Sequence, residues 1–310
     1  MGRAKRIPYG VSDFIDIIER NQYYVDKTMY IPKLEDEPDA LFFIRPRRFG
    51  KSLFISMLRA YYDIKRKDKF DKLFGNLWIG SHPTENQGKY QVLFLDFSKI
   101  GGSIDQLEEN FNAYCNECID SFIETYQEYY PERVVESVLK AKTAARKLNA
   151  IGIAAEKKNL PLYLIVDEYD NFTNVVLNEQ GEEVYTALTH ASGFYREIFK
   201  VFKGMFSKIF MTGVSPVTLD DLTSGFNIGW HISTKPAFNQ MLGFSTEDVR
   251  DLFTYYKENG EIQPDSDVEA IIEEMKPWYD NYCFSESALK TQSKVFNSDM
   301  VFYYLRNYRE

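Results

Sequence analysis

Three residues in a row, Gly50-Lys51-Ser52, follow the stretch Leu41-Phe42-Phe43-Ile44-Arg45-Pro46-Arg47-Arg48-Phe49 and lead into Leu53-Phe54. That order is the one phosphate binding needs. An apolar strand fixes the loop, and the amides at the start of the following helix face an anion. Gly50 allows close backbone approach, Lys51 can reach β- and γ-phosphates, and the Ser52 hydroxyl can enter the shell of Mg2+. The loop departs from the common pattern in one place: Arg45 stands where the first of two spaced glycines usually sits. Pro46 presets φ and removes an N–H, so guanidinium groups of Arg45, Arg47 or Arg48 are expected to replace missing backbone donors. The expected nucleotide-binding set is therefore Arg45, Pro46, Arg47, Arg48, Phe49, Gly50, Lys51, Ser52 and Leu53.

A second group completes the chemistry. Leu162-Tyr163-Leu164-Ile165-Val166 is apolar and ends in Asp167-Glu168. Two adjacent carboxylates can divide labour, Asp167 with Ser52 holding the Mg2+ shell and Glu168 polarising an attacking water. Thr212 ends a further apolar run, Lys208-Ile209-Phe210-Met211, and its hydroxyl is placed to touch water or the γ-phosphate, as a sensor residue does. The expected catalytic residues are Lys51, Glu168 and Thr212. Solvated strand-end carboxylates and simple capping are the plainer readings of the same residues. Cys115 and Cys118 share a helix face without further ligands nearby, which reads as packing, with Cys283 distant. His82, His190 and His231 have no metal-binding spacing, and no Ser/His/Asp arrangement is visible.

The elements that must carry these residues alternate. Strands are expected at 40–45, 92–97, 162–167, 208–212 and 230–233, and helices at 29–34, 51–62, 106–129, within 131–158 and around 182–202. Alternation of this kind implies an α/β fold with a mostly parallel, doubly wound sheet, in which ligands sit beyond the carboxyl ends of strands. The loop, Asp167 and Thr212 all fall at such ends. After Pro236 the pattern turns helical, with Ser245 and Asp248 spaced as a capping box and helices expected to Tyr256, over 267–276 and over 300–308. The expected division is a core with an N-terminal extension over 1–235 and a small, lid-like helical subdomain over 236–310. The last helix has no Gly, Pro or polar tail closing it, as expected of a chain truncated before a further domain.

Composition bounds the function. With 310 residues, 44% hydrophobic and 27% charged, the chain is an ordinary folded globule. Its 37 basic against 46 acidic residues leave a net charge of −9, which argues against a broad nucleic-acid-binding face, so strong binding is not expected. The 16% aromatic content, including 22 Tyr and 24 Phe, reads as core and helix surface rather than as stacking platforms for single strands. Three cysteines point to a reducing compartment. The basic start Met1–Arg6 lacks a following apolar run, and no stretch approaches the roughly 18 apolar residues of a membrane span. A cytoplasmic protein is expected.

The chain resembles the predicted AAA-ATPase-like family of P-loop ATPases, often joined to a C-terminal PD-(D/E)XK nuclease-like domain. The likeness rests on Ile7-Pro8-Tyr9-Gly10-Val11-Ser12-Asp13-Phe14, Tyr24-Val25-Asp26-Lys27-Thr28, Arg45–Ser52, Leu95-Asp96-Phe97-Ser98 and Val166-Asp167-Glu168-Tyr169-Asp170. Thr212-Gly213-Val214-Ser215-Pro216, Gly225-Phe226-Asn227-Ile228, Leu242-Gly243-Phe244-Ser245 and Trp278-Tyr279-Asp280-Asn281-Tyr282-Cys283-Phe284 follow in order. Asn281 departs from a usual Gly, and Asn297-Ser298 from a usual Asn-Pro; Asn is the side chain that best tolerates left-handed backbone. A nuclease core of the Asp…Glu-x-Lys kind is not expected within these residues. The resemblance implies an additional-strand P-loop NTPase that binds ATP with Mg2+ and acts as a slow ATPase, a switch or motor for an attached nuclease-like domain, a partner or a homo-oligomer. It also implies a setting in mobile-element or phage-defence biology. A nucleotide-binding regulatory module without significant turnover is the main alternative, and an interaction scaffold with a vestigial site the third.

Overall fold

The computed structural model describes residues 4–101, 104–171, 194–215, 229–279, 282–291 and 293–308. Five strands, β1 (Ala40–Ile44), β2 (Gln91–Asp96), β3 (Leu162–Asp167), β4 (Lys208–Gly213) and β5 (Trp230–His231), form one sheet in the order β2-β3-β4-β1-β5. All four pairings are parallel. The strand carrying the phosphate loop, β1, is thus separated from the strand carrying the carboxylates, β3, by the inserted strand β4. That order is the additional-strand arrangement.

Alternating side chains of the inner strands feed two cores, one on each face, because successive residues of a strand point to opposite sides. Phe42, Leu164, Val166 and Met211 join one core with the helices Ile104–Thr125, Ala144–Lys157 and Phe194–Met205. Leu41, Phe43, Ile165 and Phe210 join the other with α1 (Phe14–Glu19), α2 (Tyr30–Glu35) and α3 (Lys51–Tyr62). Helices on both faces explain the unbroken apolar runs of β1, β3 and β4. The run at 92–97 reads the same way in sequence, yet β2 lies at the sheet edge and its burial alternates. There the Arg59 guanidinium covers the Phe94 ring at 4.1 Å.

The long helix and the fifth strand end short of their expected limits by more than one residue. The long helix stops at Thr125, and residues 127–129 form a separate single turn. Tyr126 is buried, with its hydroxyl accepting from Val92 N at 3.0 Å and donating to Asp63 at 2.9 Å, which fixes the chain out of the helical path. β5 ends at His231 rather than Ser233, because the Ser233 side chain takes over the pairing and accepts from Ile44 N at 2.7 Å.

Helices Thr246–Glu258, Val268–Tyr279 and Ser298–Tyr308 enclose a third cluster, including Val249, Phe253, Ile272 and Leu305, against which Ile7, Tyr23 and Val25 of the N-terminal segment also pack. The capping box is present: Ser245 Oγ accepts from Asp248 N at 3.1 Å, and Asp248 accepts from Ser245 N at 2.7 Å. Residues 194–205 are helical, while 182–193 of the expected helix, His190, Pro216, 225–228, Asp280 and Asn281 lie outside the described residues. Cys115 is buried in the first core and Cys118 packs partly against it.

Candidate functional site

The loop hangs from the sheet at one end and enters α3 at the other. Arg45 N donates to Gly213 O at 3.2 Å, extending the β1–β4 ladder past Ile44. Gly50, at φ +86°, then caps α3, and Arg48 is also left-handed at φ +67°. A left-handed cap with no side-chain hydrogen bond leaves the first-turn amides of α3 available to an anion, at the positive end of the helix dipole. Such an arrangement can act as a nest-type anion cradle. Lys51 is 5% exposed, and its ammonium donates to Arg45 O at 2.9 Å and Pro46 O at 3.1 Å. Burial pushes its pKa down, while Asp167, Glu168 and Asp170 pull the other way.

Asp167 is the hub of the site. It is 3% exposed, and its two oxygens are split between a helix and a strand: Oδ2 accepts from Ser52 Oγ at the start of α3 and Oδ1 from Thr212 Oγ1 on β4, both at 2.6 Å. Glu168 N also donates to Oδ1 at 3.0 Å. Glu168 sits at φ +50°, sparsely populated for a residue with a side chain, and this turn brings Tyr169 N back to Thr212 O at 3.0 Å. Burial raises the Glu168 pKa first, and the Asp167 charge raises it further. The site thus pairs one hydrogen-bonded carboxylate with a neighbour biased toward holding a proton.

Of these groups, Lys51, Ser52 and Glu168 line a cleft of about 290 Å³. Its floor is residues 47–53 with Glu168; Tyr24 and Val25 from the N-terminal segment and Phe244, Asp299 and Phe302 from the C-terminal helices form its walls. The donor set of Ser52 Oγ and one carboxylate is hard oxygen, which suits Mg2+, an ion that takes one or two carboxylates and completes its shell with phosphate and water. Among the described residues no group of three or more His, Cys, Asp or Glu is arranged to hold a metal by itself.

Lys51, Ser52, Asp167, Glu168 and Thr212 are brought together. Arg45 is not. Its guanidinium is fully buried and turned from the cleft onto Ile44 O at 2.8 Å, Ser233 O at 2.9 Å and Phe238 O at 2.8 Å. The apolar, carbonyl-lined space behind β1 accepts a flat cation, so Arg45 meets the site only through its own carbonyl. Arg47 and Arg48 remain at the cleft, with Arg48 paired to Asp299 at 3.2 Å. Phe49 is a core side chain, 1% exposed. Asp170, quoted in sequence only as part of a motif, is 1% exposed and accepts from Ser215 N at 2.6 Å and Val214 N at 3.0 Å, holding the chain beyond Thr212. Gly213 is required beside it: a Cβ there would meet Asp170 Oδ1 at 2.6 Å and Tyr169 Cε1 at 2.5 Å. In the sequence, an acid three residues after Asp167 was the one signal for that anchor.

A family model described as "Predicted AAA-ATPase" matches residues 8–223. The chain is 25% identical over 303 residues to the "Uncharacterized protein in vnfD 5'region" of Azotobacter chroococcum mcd 1, covering 92% of this chain and 50% of that one. It therefore spans about half the length of the curated relative it matches. Among solved structures it is similar to the Aeropyrum pernix ORC2 protein (ADPNP-ADP complexes), with a TM-score of 0.37 and 12% identity over 90% of this chain and 65% of that one. Among the described residues, no helix is long and apolar enough to cross a membrane.

Proposed function

The chain belongs to the Predicted AAA-ATPase family, and from that premise we propose that it binds ATP with Mg2+ in the cleft and hydrolyses it slowly. The observation that supports this most is the single cluster of Ser52, Asp167 and Thr212 beside Lys51 and Glu168 at the ends of β1, β3 and β4. Lys51 and the first-turn amides of α3 would bind the phosphates. Ser52 and Asp167 would hold Mg2+, whose charge would offset that of the β- and γ-oxygens. Glu168 would orient a water and take its proton, a task favoured by a raised carboxyl pKa. Thr212 would act through Asp167, keeping one carboxylate oxygen fixed while the other faces Ser52.

Turnover is slow in this reading because phosphoryl transfer usually needs a further arginine, supplied here by a neighbouring subunit or partner. Residues 236–310 would serve as a lid, and the ATPase as a cytoplasmic switch or motor for an attached or partner domain. The −9 charge makes tight DNA binding by this chain alone unexpected. A regulatory module that holds ATP without turnover is favoured by one observation, the Lys51 ammonium bonded back onto the loop carbonyls of Arg45 and Pro46. Thermal shift and phosphate release with ATP, ADP and GTP, each with and without Mg2+, separate the two. Stabilisation with steady phosphate release supports the ATPase, stabilisation without release the regulatory module, and no stabilisation by any nucleotide rejects both.

A further inference from the structure

We propose that Phe284 is a positioning residue for the phosphate loop, acting through Arg45, so that the segment Tyr282–Phe284 sets the loop's fit to the β- and γ-phosphates. This rests on the reading of the cleft as a nucleotide site. The Arg45 guanidinium lies between two rings, 4.2 Å from the Phe43 centroid and 3.9 Å from that of Phe284. Among the described residues it makes no ion pair with a carboxylate, and burial pushes its pKa down to about 9, which leaves it cationic at neutral pH. A cation buried without a counter-ion depends on carbonyl dipoles and ring faces for its stabilisation. Phe43 comes from β1 itself; Phe284 is the face brought from far along the chain.

The consequence passes to Lys51 in one step. The residue whose side chain Phe284 holds is the residue whose carbonyl accepts the Lys51 ammonium at 2.9 Å. Arg45 also occupies the position where the common loop has glycine, so here a side chain, rather than bare backbone, sets the first bend. The other arm of the loop is held by the same segment. The Phe49 ring lies 4.7 Å from that of Tyr282 and 5.6 Å from that of Phe284, and Phe49 O accepts from Gly243 N at 3.2 Å. The segment is itself anchored, with Phe284 N donating to Asn239 Oδ1 at 2.9 Å and Val295 N to Tyr282 O at 3.0 Å. Residues 45 and 49 are therefore pinned to one support, and residues 47 and 48 between them face the cleft. This gives the Tyr282-Cys283-Phe284 motif a task that its distance in sequence concealed.

The test is isothermal titration of ATP and of adenosine into the wild type, Lys51→Ala, Phe284→Leu, Phe284→Tyr, Arg45→Met and the Arg45→Met/Phe284→Leu pair, with thermal midpoints recorded for each. Phe284 is only partly buried, and leucine keeps an apolar group there. Phe284→Leu should weaken ATP binding about tenfold, as loss of a desolvated ring–cation contact implies. Adenosine binding should not change, Phe284→Tyr should restore ATP affinity, and the double variant should bind no more weakly than Arg45→Met. Wild-type ATP affinity in Phe284→Leu, equal losses for ATP and adenosine, or additive losses in the pair would each overturn the inference. If Phe284→Leu fails to fold, a folded Phe284→Tyr with tenfold weaker ATP binding overturns it, and wild-type affinity there with a tenfold loss in Arg45→Met supports it. Equal ATP affinity in wild type and Lys51→Ala, or no binding by the wild type, removes the underlying reading of the site and the inference with it.

Discussion

The Ser52 hydroxyl donates to Asp167 Oδ2 at 2.6 Å across 115 positions of sequence, joining the first turn of α3 to the end of β3. The contact is possible because β4 is inserted between β1 and β3, which sets the two strand ends apart by the width of one strand. Thr212 of that strand fills the gap and bonds the other carboxylate oxygen. A relay of this kind, from α3 through β3 to β4, fixes the geometry of the site in the absence of ligand, which is the condition for electrostatic preorganisation.

Lys51→Ala should abolish most ATP affinity. The ammonium is the mobile point charge of the loop, and charge-assisted hydrogen bonds contribute about 1.5–3 kcal/mol each, so a loss of roughly tenfold to more than a hundredfold is expected. Isothermal titration decides it. Unchanged affinity in a folded variant would show that Arg47 and Arg48 suffice for the phosphates.

Glu168→Gln should keep ATP affinity within about twofold and lower phosphate release by roughly 10²–10⁴-fold, because the amide preserves shape and lacks basicity. Single-turnover release measurements are the check. Equal rates in the two proteins would remove Glu168 from the chemistry.

The same substitution has a pH signature in stability. Burial and Asp167 raise the Glu168 carboxyl from its ordinary 4.5, so the native protein holds that proton more tightly than the unfolded chain. Its contribution is therefore fully present below about 4.5 and is lost as pH rises through the higher native value. Glu168→Gln removes this dependence. The midpoint of the variant should rise relative to wild type between about pH 4 and pH 7, with most of the difference above the native pKa. A difference that stays flat, or narrows with rising pH, would show that Glu168 is not held in the protonated direction.

Much of the site was legible because its signals are local. An apolar strand, Gly50-Lys51-Ser52 and a helix form one continuous pattern, as do β3 with Asp167-Glu168 and β4 with Thr212. The fold class followed from their alternation. What escaped depended on partners remote in sequence. The direction of Arg45 is set by Ser233, Phe238 and Phe284, and the early end of β5 by the hydroxyl of Ser233 reaching Ile44. The half-exposed β2 carries the same apolar run as a buried strand, since an edge position is a property of the sheet order. Asp170 entered only as the last residue of a motif, because the amides it serves arrive only with the end of β4.

Asp170→Ala should destabilise the fold and slow hydrolysis without touching nucleotide directly. The carboxylate is 1% exposed and accepts from two consecutive amides, Val214 and Ser215, while Tyr169 of the same turn donates from its hydroxyl to Ser215 O at 2.8 Å. Losing the acceptor leaves both amides short of a partner, at a cost of about 1–3 kcal/mol each if water does not replace it. The chain beyond Thr212 would then be released, and with it the hydroxyl that fixes Asp167 Oδ1. Asp170→Asn keeps one oxygen acceptor and should recover about half of the lost stability. Chemical denaturation measures the first effect and phosphate release at saturating ATP the second. An alanine variant with wild-type stability would show that solvent satisfies the two amides. A destabilised variant with unchanged turnover would separate the anchor from the chemistry and leave Thr212 held by β4 alone.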